Sequence, residues 1–251
     1  MIFLRPNPIL EYPKIQGWSS MQAAVLAGGL ATRLGDLTRY RPKSMVMVAG
    51  KPFLEYQLEF LRKGGIRDVV LCVGHLANQI EAYFSSGRSL GVSIKYSYEA
   101  EPLGTAGAIK NAEALLDEIF FVIYGDSYIF LDFRQTMDVF EYNNKQALMT
   151  VYRNNDSYDQ SNTSVNNGLV TSYSKTVKSE DMVYIDYGAT IFRKSVLAMI
   201  PPNMFYSLEA LIPRLVEKGE VIAFEAKHRF YEIGSPQGLQ EFEKYCVKGS
   251  R

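Results

Sequence analysis

Two adjacent glycines, Gly28 and Gly29, close a short apolar run and open a stretch that carries Arg33, Arg39, Arg41 and Lys43 against the lone acid Asp36. Glycine lets backbone N–H groups approach a phosphate that a Cβ would hold away. Between Ala31 and Lys43 the local surplus is three positive charges in a chain whose 27 basic and 27 acidic residues otherwise cancel. A polyphosphate is the ligand such a loop suits, although a solvated basic turn between strand and helix would carry the same residues. The spacing is neither G-x-G-x-x-G nor G-x-x-x-x-G-K-[ST], which argues against a Rossmann dehydrogenase and a P-loop kinase.

Three further segments hold residues fit for chemistry. Glu101 to Ile109, EPLGTAGAI, sets bare backbone before a helix, where a nucleobase or ribose could lie; a β-to-α turn capped by Thr105 explains the same text. Asp126 ends the apolar run FFVIYGD, at the carboxyl edge where open α/β sheets bind ligands, and an aspartate there also serves as a turn cap. Near the C-terminus, Glu232 opens EIGSP. His75, in VGH, could line a cleft, but a lone histidine is more often structural, and it is given no catalytic role.

The elements that must position these residues follow an α/β rhythm, with short β-branched runs alternating with segments of helical period. Strands are predicted at Ala23 to Leu26, Ser44 to Val48, Asp68 to Val73, Val92 to Tyr98, Ile119 to Tyr124, Ala147 to Tyr152, Tyr184 to Phe192 and Val221 to Glu225. Helices are predicted from Pro52 with Leu54, Leu58 and Leu61 on one face, at Asn78 to Phe84, Thr105 to Leu116, Phe133 to Asn144, Ser207 to Lys218, and Pro236 to about Cys246. Asn154 to Asn167 is polar and leads into a hairpin around Asn167 and Gly168. No hexapeptide repeat is present, so no β-helix is expected.

The chain has 251 residues, 47% hydrophobic and 22% charged, enough for one large core. Its balanced charge gives no global field toward nucleic acid or an anionic membrane, so neither is an expected partner. Cys72 and Cys246 form no disulfide framework or metal-ligand spacing. No apolar stretch approaches the roughly 20 residues that span a bilayer, and Arg5, Pro6, Pro8, Glu11, Pro13 and Lys14 interrupt any signal-peptide core. These features predict a cytoplasmic protein with an irregular extension over 1–20 and a single domain over 21–248. A homo-oligomer is compatible with the sequence, which does not fix the number of copies.

The segment from Leu26 to Lys43 resembles the signature loop of the sugar-phosphate nucleotidyltransferases, Gly-Gly-x-Gly-Thr-Arg-Leu followed by Pro-Lys. Gly28, Gly29, Thr32, Arg33, Leu34, Pro42 and Lys43 match it, and Ala31 stands where that family usually has Gly. Similarity continues through GKPFLEYQLEFLRKGGIRDVVLCVGH, EAEPLGTAGAI, YGD and EIGSP, in the order of the mannose-, glucose- and heptose-1-phosphate branch. With the strand–helix rhythm it implies a Rossmann-like three-layer sandwich with a mixed, mostly parallel central sheet and a small β-hairpin sugar-binding subregion.

The resemblance also implies roles. Arg33 and Lys43 would be catalytic, holding the triphosphate and stabilising charge at the attacked α-phosphorus. Leu26, Ala27, Gly28, Gly29, Thr32, Glu101, Gly104 and Thr105 would bind the nucleotide. Asp126 would hold Mg²⁺ together with Glu232, which replaces the aspartate of an Asp-Ile-Gly-Thr-Pro segment. Gly188, Glu209 and Lys175 would bind the sugar phosphate, with Asp186 and Tyr187 departing from the family's Asn-x-Gly pattern. The implied reaction joins an NTP, with GTP preferred, to a hexose or heptose 1-phosphate by one in-line displacement, releasing pyrophosphate and forming an NDP-sugar. Two other readings fit: a silent regulatory subunit that binds nucleotide-sugar, and a transferase for a non-sugar phosphate acceptor.

Overall fold

The structure, a computed structural model, describes residues 20–29 and 40–249. Strand β1 (Met21–Leu26) is followed, beyond the undescribed 30–39, by a 3-10 turn at Lys43–Met45 and a hairpin of β2 (Met47–Val48) and β3 (Lys51–Pro52). The extended segment expected over Ser44 to Val48 is therefore half turn, half strand. Helix α1 (Phe53–Lys63) starts after Pro52 and stops at Gly64 and Gly65, whose φ of +91° at Gly65 suits a residue without Cβ. Then come β4 (Ile66–Val73), α2 (Ala77–Phe84), β5 (Ser93–Tyr98), α3 (Gly104–Asn111), β6 (Ile119–Tyr124), β7 (Ser127–Tyr128), α4 (Phe133–Asn143) and β8 (Ala147–Arg153). The chain closes with β9 (Thr163–Asn166), β10 (Leu169–Tyr173), β11 (Tyr184–Arg193), α5 (Leu208–Val216), β12 (Val221–Glu225), β13 (Tyr231–Glu232) and α6 (Pro236–Gly249).

A nine-stranded sheet runs in the order β5-β4-β1-β6-β11-β8-β12-β10-β9. The pairings β5–β4, β4–β1, β1–β6 and β8–β12 are parallel; those that place β11 between β6 and β8, and β10 between β12 and β9, are antiparallel. The sheet is thus mixed, with a four-stranded parallel run on the N-terminal side and one further parallel pair, β8–β12. The expectation of a mostly parallel sheet is corrected in this respect: β11 arrives from the β9–β10 hairpin, not through a crossover helix, and so enters from the opposite end. That hairpin turns at Asn167 (φ +50°) and Gly168 (φ +75°), the positive pair of a type I′ turn, and its strands extend the same sheet.

Helices cover both faces. Leu54, Leu58 and Leu61 of α1, Ile80 and Phe84 of α2, and Phe133 and Phe140 of α4 pack with Val25, Val69 and Phe121. Ile109 of α3 and Leu208, Leu211 and Leu215 of α5 pack with Ala24, Val70 and Val122 on the other side. Neighbouring residues of β1 and of β6 therefore feed opposite cores, which is why these strands read as unbroken apolar runs. A smaller cluster joins Phe242 of α6 to Val48, Phe53 and Ile233.

The helix expected from Thr105 to Leu116 begins one residue earlier and gives way after Asn111 to a 3-10 turn at Glu113–Leu115. Thr105 is not its cap. The carbonyl of Tyr206 accepts from the N–H groups of Ala106 and Gly107, both at 2.9 Å, so the first-turn donors are already satisfied. The Thr105 hydroxyl instead accepts from the Leu208 N–H at 2.7 Å, fastening α3 to the start of α5.

Leu58 is 0% exposed in the α1 face. Leu58→Ala is expected to cost about 2–5 kcal/mol of stability, read as a lowered urea midpoint with an unchanged slope; a loss below about 1 kcal/mol would contradict the packing described.

Candidate functional site

The site is built where β1 and β6 end side by side. The Gly125 N–H donates to the Leu26 carbonyl at 3.1 Å, and a Cβ on Gly125 would collide with that same oxygen. Glycine thus lets the turn carrying Asp126 close onto the one carrying Gly28 and Gly29. Gln57, buried in α1, fixes the turn from beneath: its Nε2 donates to the carbonyls of Tyr124 (2.8 Å) and Ser127 (2.7 Å), on either side of Asp126.

Glu232 is brought to Asp126 by backbone pairing. Strands β7 and β13 are antiparallel, with Glu232 opposite Ser127, and the Ile233 N–H donates to the Asp126 carbonyl at 2.9 Å. Lys43, at the first position of its 3-10 turn, reaches across from the β1 side to place Nζ 2.5 Å from Asp126 Oδ2. A Cβ on Gly234 would strike Glu232 Oε1 and come within 2.9 Å of Lys43 Nζ, so the two charged groups flank one small space. Lys43, Asp126 and Glu232 are brought together, as the sequence led us to expect.

They share a cavity of about 1020 Å³ with Leu26, Ala27, Gly28, Gly29, Glu101, Gly104, Thr105 and Lys175. Thr32 and Arg33 lie outside the described residues. Arg41 belongs to the basic stretch but is exposed beside Gln79 and Tyr83, away from this cavity. At the far end Lys175 pairs with Glu209 at 3.6 Å and sits 5.1 Å from the Tyr124 ring centre. Glu209 and Gly188 do not line the cavity.

Several lining residues escaped the sequence reading. Glu99 follows directly on β5, and its Oε2 accepts from the Leu103 N–H at 3.0 Å. A Cβ on Gly28 would lie 2.8 Å from its Oε1, so the carboxylate faces bare backbone. Burial pushes its pKa up, partly countered by the Leu103 N–H. Its position at the carboxyl end of a parallel strand was the available signal. Glu101 is exposed at the rim.

Asp186, expected only as a departure from the family's Asn-x-Gly pattern, is a second such residue. It is 7% exposed yet lines the cavity, where its Oδ2 accepts from Tyr124 (2.9 Å) and Tyr173 (3.3 Å) and its Oδ1 from the Gly188 N–H (3.0 Å). Burial, with the Asp186 charge, holds both phenols far above their ordinary pKa, so they stay protonated donors. Gly188 therefore acts on this carboxylate from behind it.

The arrangement suits two anions bound end to end: a bare-backbone slot, a cation between two carboxylates, and a polar chamber beyond. Residues 22–245 match the nucleotidyl transferase family. The D-glycero-α-D-manno-heptose 1-phosphate guanylyltransferase of Campylobacter jejuni is 30% identical over 224 residues, covering 88% of this chain and 98% of its own. The UTP–glucose-1-phosphate uridylyltransferase of Synechocystis is 33% identical over 219 residues, covering 79% of this chain and 56% of its own. Among solved structures, HddC from Yersinia pseudotuberculosis complexed with GMP-PN superposes with a TM-score of 0.78 at 27% identity, covering 90% of this chain and 99% of that one. The likeness in sequence and in fold spans the cavity from Gly28 to Glu232, and the chain belongs to the nucleotidyl transferase family.

Proposed function

We propose that the protein transfers a nucleoside monophosphate from an NTP to a sugar 1-phosphate, releasing pyrophosphate and forming an NDP-sugar. The observation that carries this reading is the meeting of Lys43, Asp126 and Glu232 beside Gly28 and Gly29 in one cavity large enough for both substrates. A sugar 1-phosphate is already an anionic nucleophile, so its attack on the α-phosphorus needs no general base. The protein's work is alignment and charge neutralisation. Lys43 is assigned the phosphate oxygens, together with Arg33.

The charge count within the cavity supports a metal requirement. Its described lining holds Lys43 and Lys175 against Glu99, Glu101, Asp126, Asp159, Asp186 and Glu232, an excess of acid that repels a bare triphosphate. Asp126 and Glu232 are hard oxygen donors at adjacent backbone positions, and two carboxylates with water and phosphate oxygens are the usual surroundings of Mg²⁺. Bound there, Mg²⁺ would neutralise phosphate charge as a Lewis acid.

Guanine is the base the site favours. A carboxylate offers acceptors only, and guanine alone presents two adjacent donors, N1–H and the 2-amino group; the corresponding edges of uracil and cytosine interpose acceptors. Glu99 supplies this carboxylate next to the Gly28 backbone. The guanylyltransferase relative and the GMP-PN complex of HddC support the same choice. For the acceptor, Lys175 is assigned the sugar phosphate, with Glu209 and the Gly188–Asp186 segment at the sugar. Glu101, Gly104 and Thr105 remain assigned to the nucleoside side, and Leu26, Ala27 and Thr32 to the phosphate loop. A single Rossmann-like domain over 21–248 is part of this reading. So is a cytoplasmic setting, which Cys72 and Cys246, not joined to each other in a disulfide, support.

Pyrophosphate release from GTP, UTP, CTP, ATP and dTTP with mannose, glucose and heptose 1-phosphates tests the proposal. GTP with a manno-configured hexose or heptose 1-phosphate is expected to be fastest, and absence of release from every pair would overturn the enzyme reading. Asp126→Asn and Lys43→Ala are each expected to lower kcat about 10²–10³-fold with the fold intact by circular dichroism. Glu99→Gln is expected to reduce the GTP-over-UTP ratio of kcat/KM about 10–100-fold; an unchanged ratio would remove Glu99 from base selection.

A further inference from the structure

We propose that Arg229 is a positioning residue: stacked between Tyr158 and Tyr231, it locks the acceptor-side wall of the cavity to the strand that carries Glu232. The inference rests on the transferase reading above. Strands β8 and β12 are parallel neighbours, so the loops that follow them, 154–162 and 226–230, emerge at the same edge of the sheet. The first supplies Asp159, Gln160, Ser161 and Asn162 to the cavity; the second leads directly into β13.

The first loop is tied together by its own hydrogen bonds. Asn154 Nδ2 donates to the Asp159 carbonyl (2.6 Å) and to Ser161 Oγ (3.1 Å), and the Tyr158 N–H donates to Asn154 Oδ1 (3.3 Å). Asp156 accepts from the Ser161 N–H at 2.7 Å and pairs with Lys178 on the outer side. Whatever fixes Tyr158 therefore fixes Asp159 to Ser161 as well.

Arg229 does so from the second loop. Its guanidinium carbon lies 4.0 Å from the Tyr158 ring centre and 4.8 Å from that of Tyr231. Nη2 is held 2.6 Å from Glu241 Oε2 on α6, and Gln237 donates to the other oxygen of that carboxylate at 3.1 Å. Tyr231 is paired with Tyr128 and precedes Glu232, which faces Ser127. One planar cation thus sets the spacing between the acceptor wall and the carboxylate beside Lys43. A guanidinium suits this place because a flat group can stack on two rings while donating at its edge, which an ammonium cannot.

The experiment measures pyrophosphate release for wild type, Arg229→Ala, Arg229→Lys, Tyr158→Ala, Glu241→Gln and the Tyr158→Ala/Arg229→Ala pair. GTP binding without acceptor is followed by thermal shift. Arg229→Ala, Arg229→Lys and Tyr158→Ala are each expected to raise the KM for sugar 1-phosphate roughly 3- to 10-fold, with GTP binding changed by less than about twofold. The double variant should be no worse than either single one, because both remove the same contact. Glu241→Gln, which keeps the stack, should leave that KM near wild type. An active wild type whose Arg229 and Tyr158 variants lose only melting temperature, with the KM unmoved, overturns the inference. A wild type that releases no pyrophosphate overturns the transferase reading instead.

Discussion

Two carboxylates at adjacent backbone positions, Asp126 and Glu232, form a local concentration of like charge that the fold has to hold in place. Main-chain pairing brings the two backbones together at this place, the Ile233 N–H donating to the Asp126 carbonyl. Lys43 offsets part of the like charge through the 2.5 Å pair with Asp126, and Gly234 leaves the space in which all three groups meet. Because the described lining remains acidic after Lys43 and Lys175 are counted, a polyanion gains entry only with added positive charge. The sequence places Arg33 and Arg39 in the stretch between Gly29 and Lys43, and under the proposed function the two carboxylates would hold a divalent ion that adds to this positive charge.

That constraint explains why so much of the scaffold converges on one turn. β1 and β6 must end within hydrogen-bonding distance, which Gly125 permits; α1 must present Gln57 to the peptides flanking Asp126; and the chain must return from β12 to pair β13 with β7. The apolar cores on either face of the sheet fix the positions of β1, β6 and α1. The small aromatic cluster around Phe242 does the same for β13, through Ile233 and Tyr231.

How much of this was legible beforehand depended on whether a residue's role was local. Ile119–Tyr124 read correctly to the residue because a strand buried on both faces is an uninterrupted apolar run, and Val221–Glu225 read correctly from its short apolar run. Lys43, Asp126 and Glu232 were recognisable from motif text, and the glycines beside them from the same lines. The β7–β13 pair was not legible: two residues per strand carry no period, and the partners lie far apart in the chain. The direction of β11 was equally hidden, since alternation is the same for parallel and antiparallel neighbours. Thr105 looked like a cap because the local pattern asks for one; the Tyr206 carbonyl, nearly a hundred residues on, had already filled that need. Glu99 sat one residue past a strand, and only its place at the carboxyl end of that strand marks it as a site residue.

The acceptor end of the cavity is organised on a different principle from the nucleotide end. Near Gly28 the surfaces are bare backbone, whereas around Asp186 they are side chains locked to one another: two phenols and a backbone N–H fix the carboxylate, and Asn162 accepts from the Asp186 N–H at 2.9 Å. An amide at this position could both give and accept a hydrogen bond, but a carboxylate only accepts. With both tyrosines already spending their protons on it, Asp186 can be approached only by a donor. The hydroxyl groups of a sugar meet that requirement, and a ring position lacking a hydroxyl would leave a buried charge short of a partner. Under the proposed function, selectivity at this end would come from the number of donors the acceptor brings, while the other end would select by shape and by the single carboxylate of Glu99.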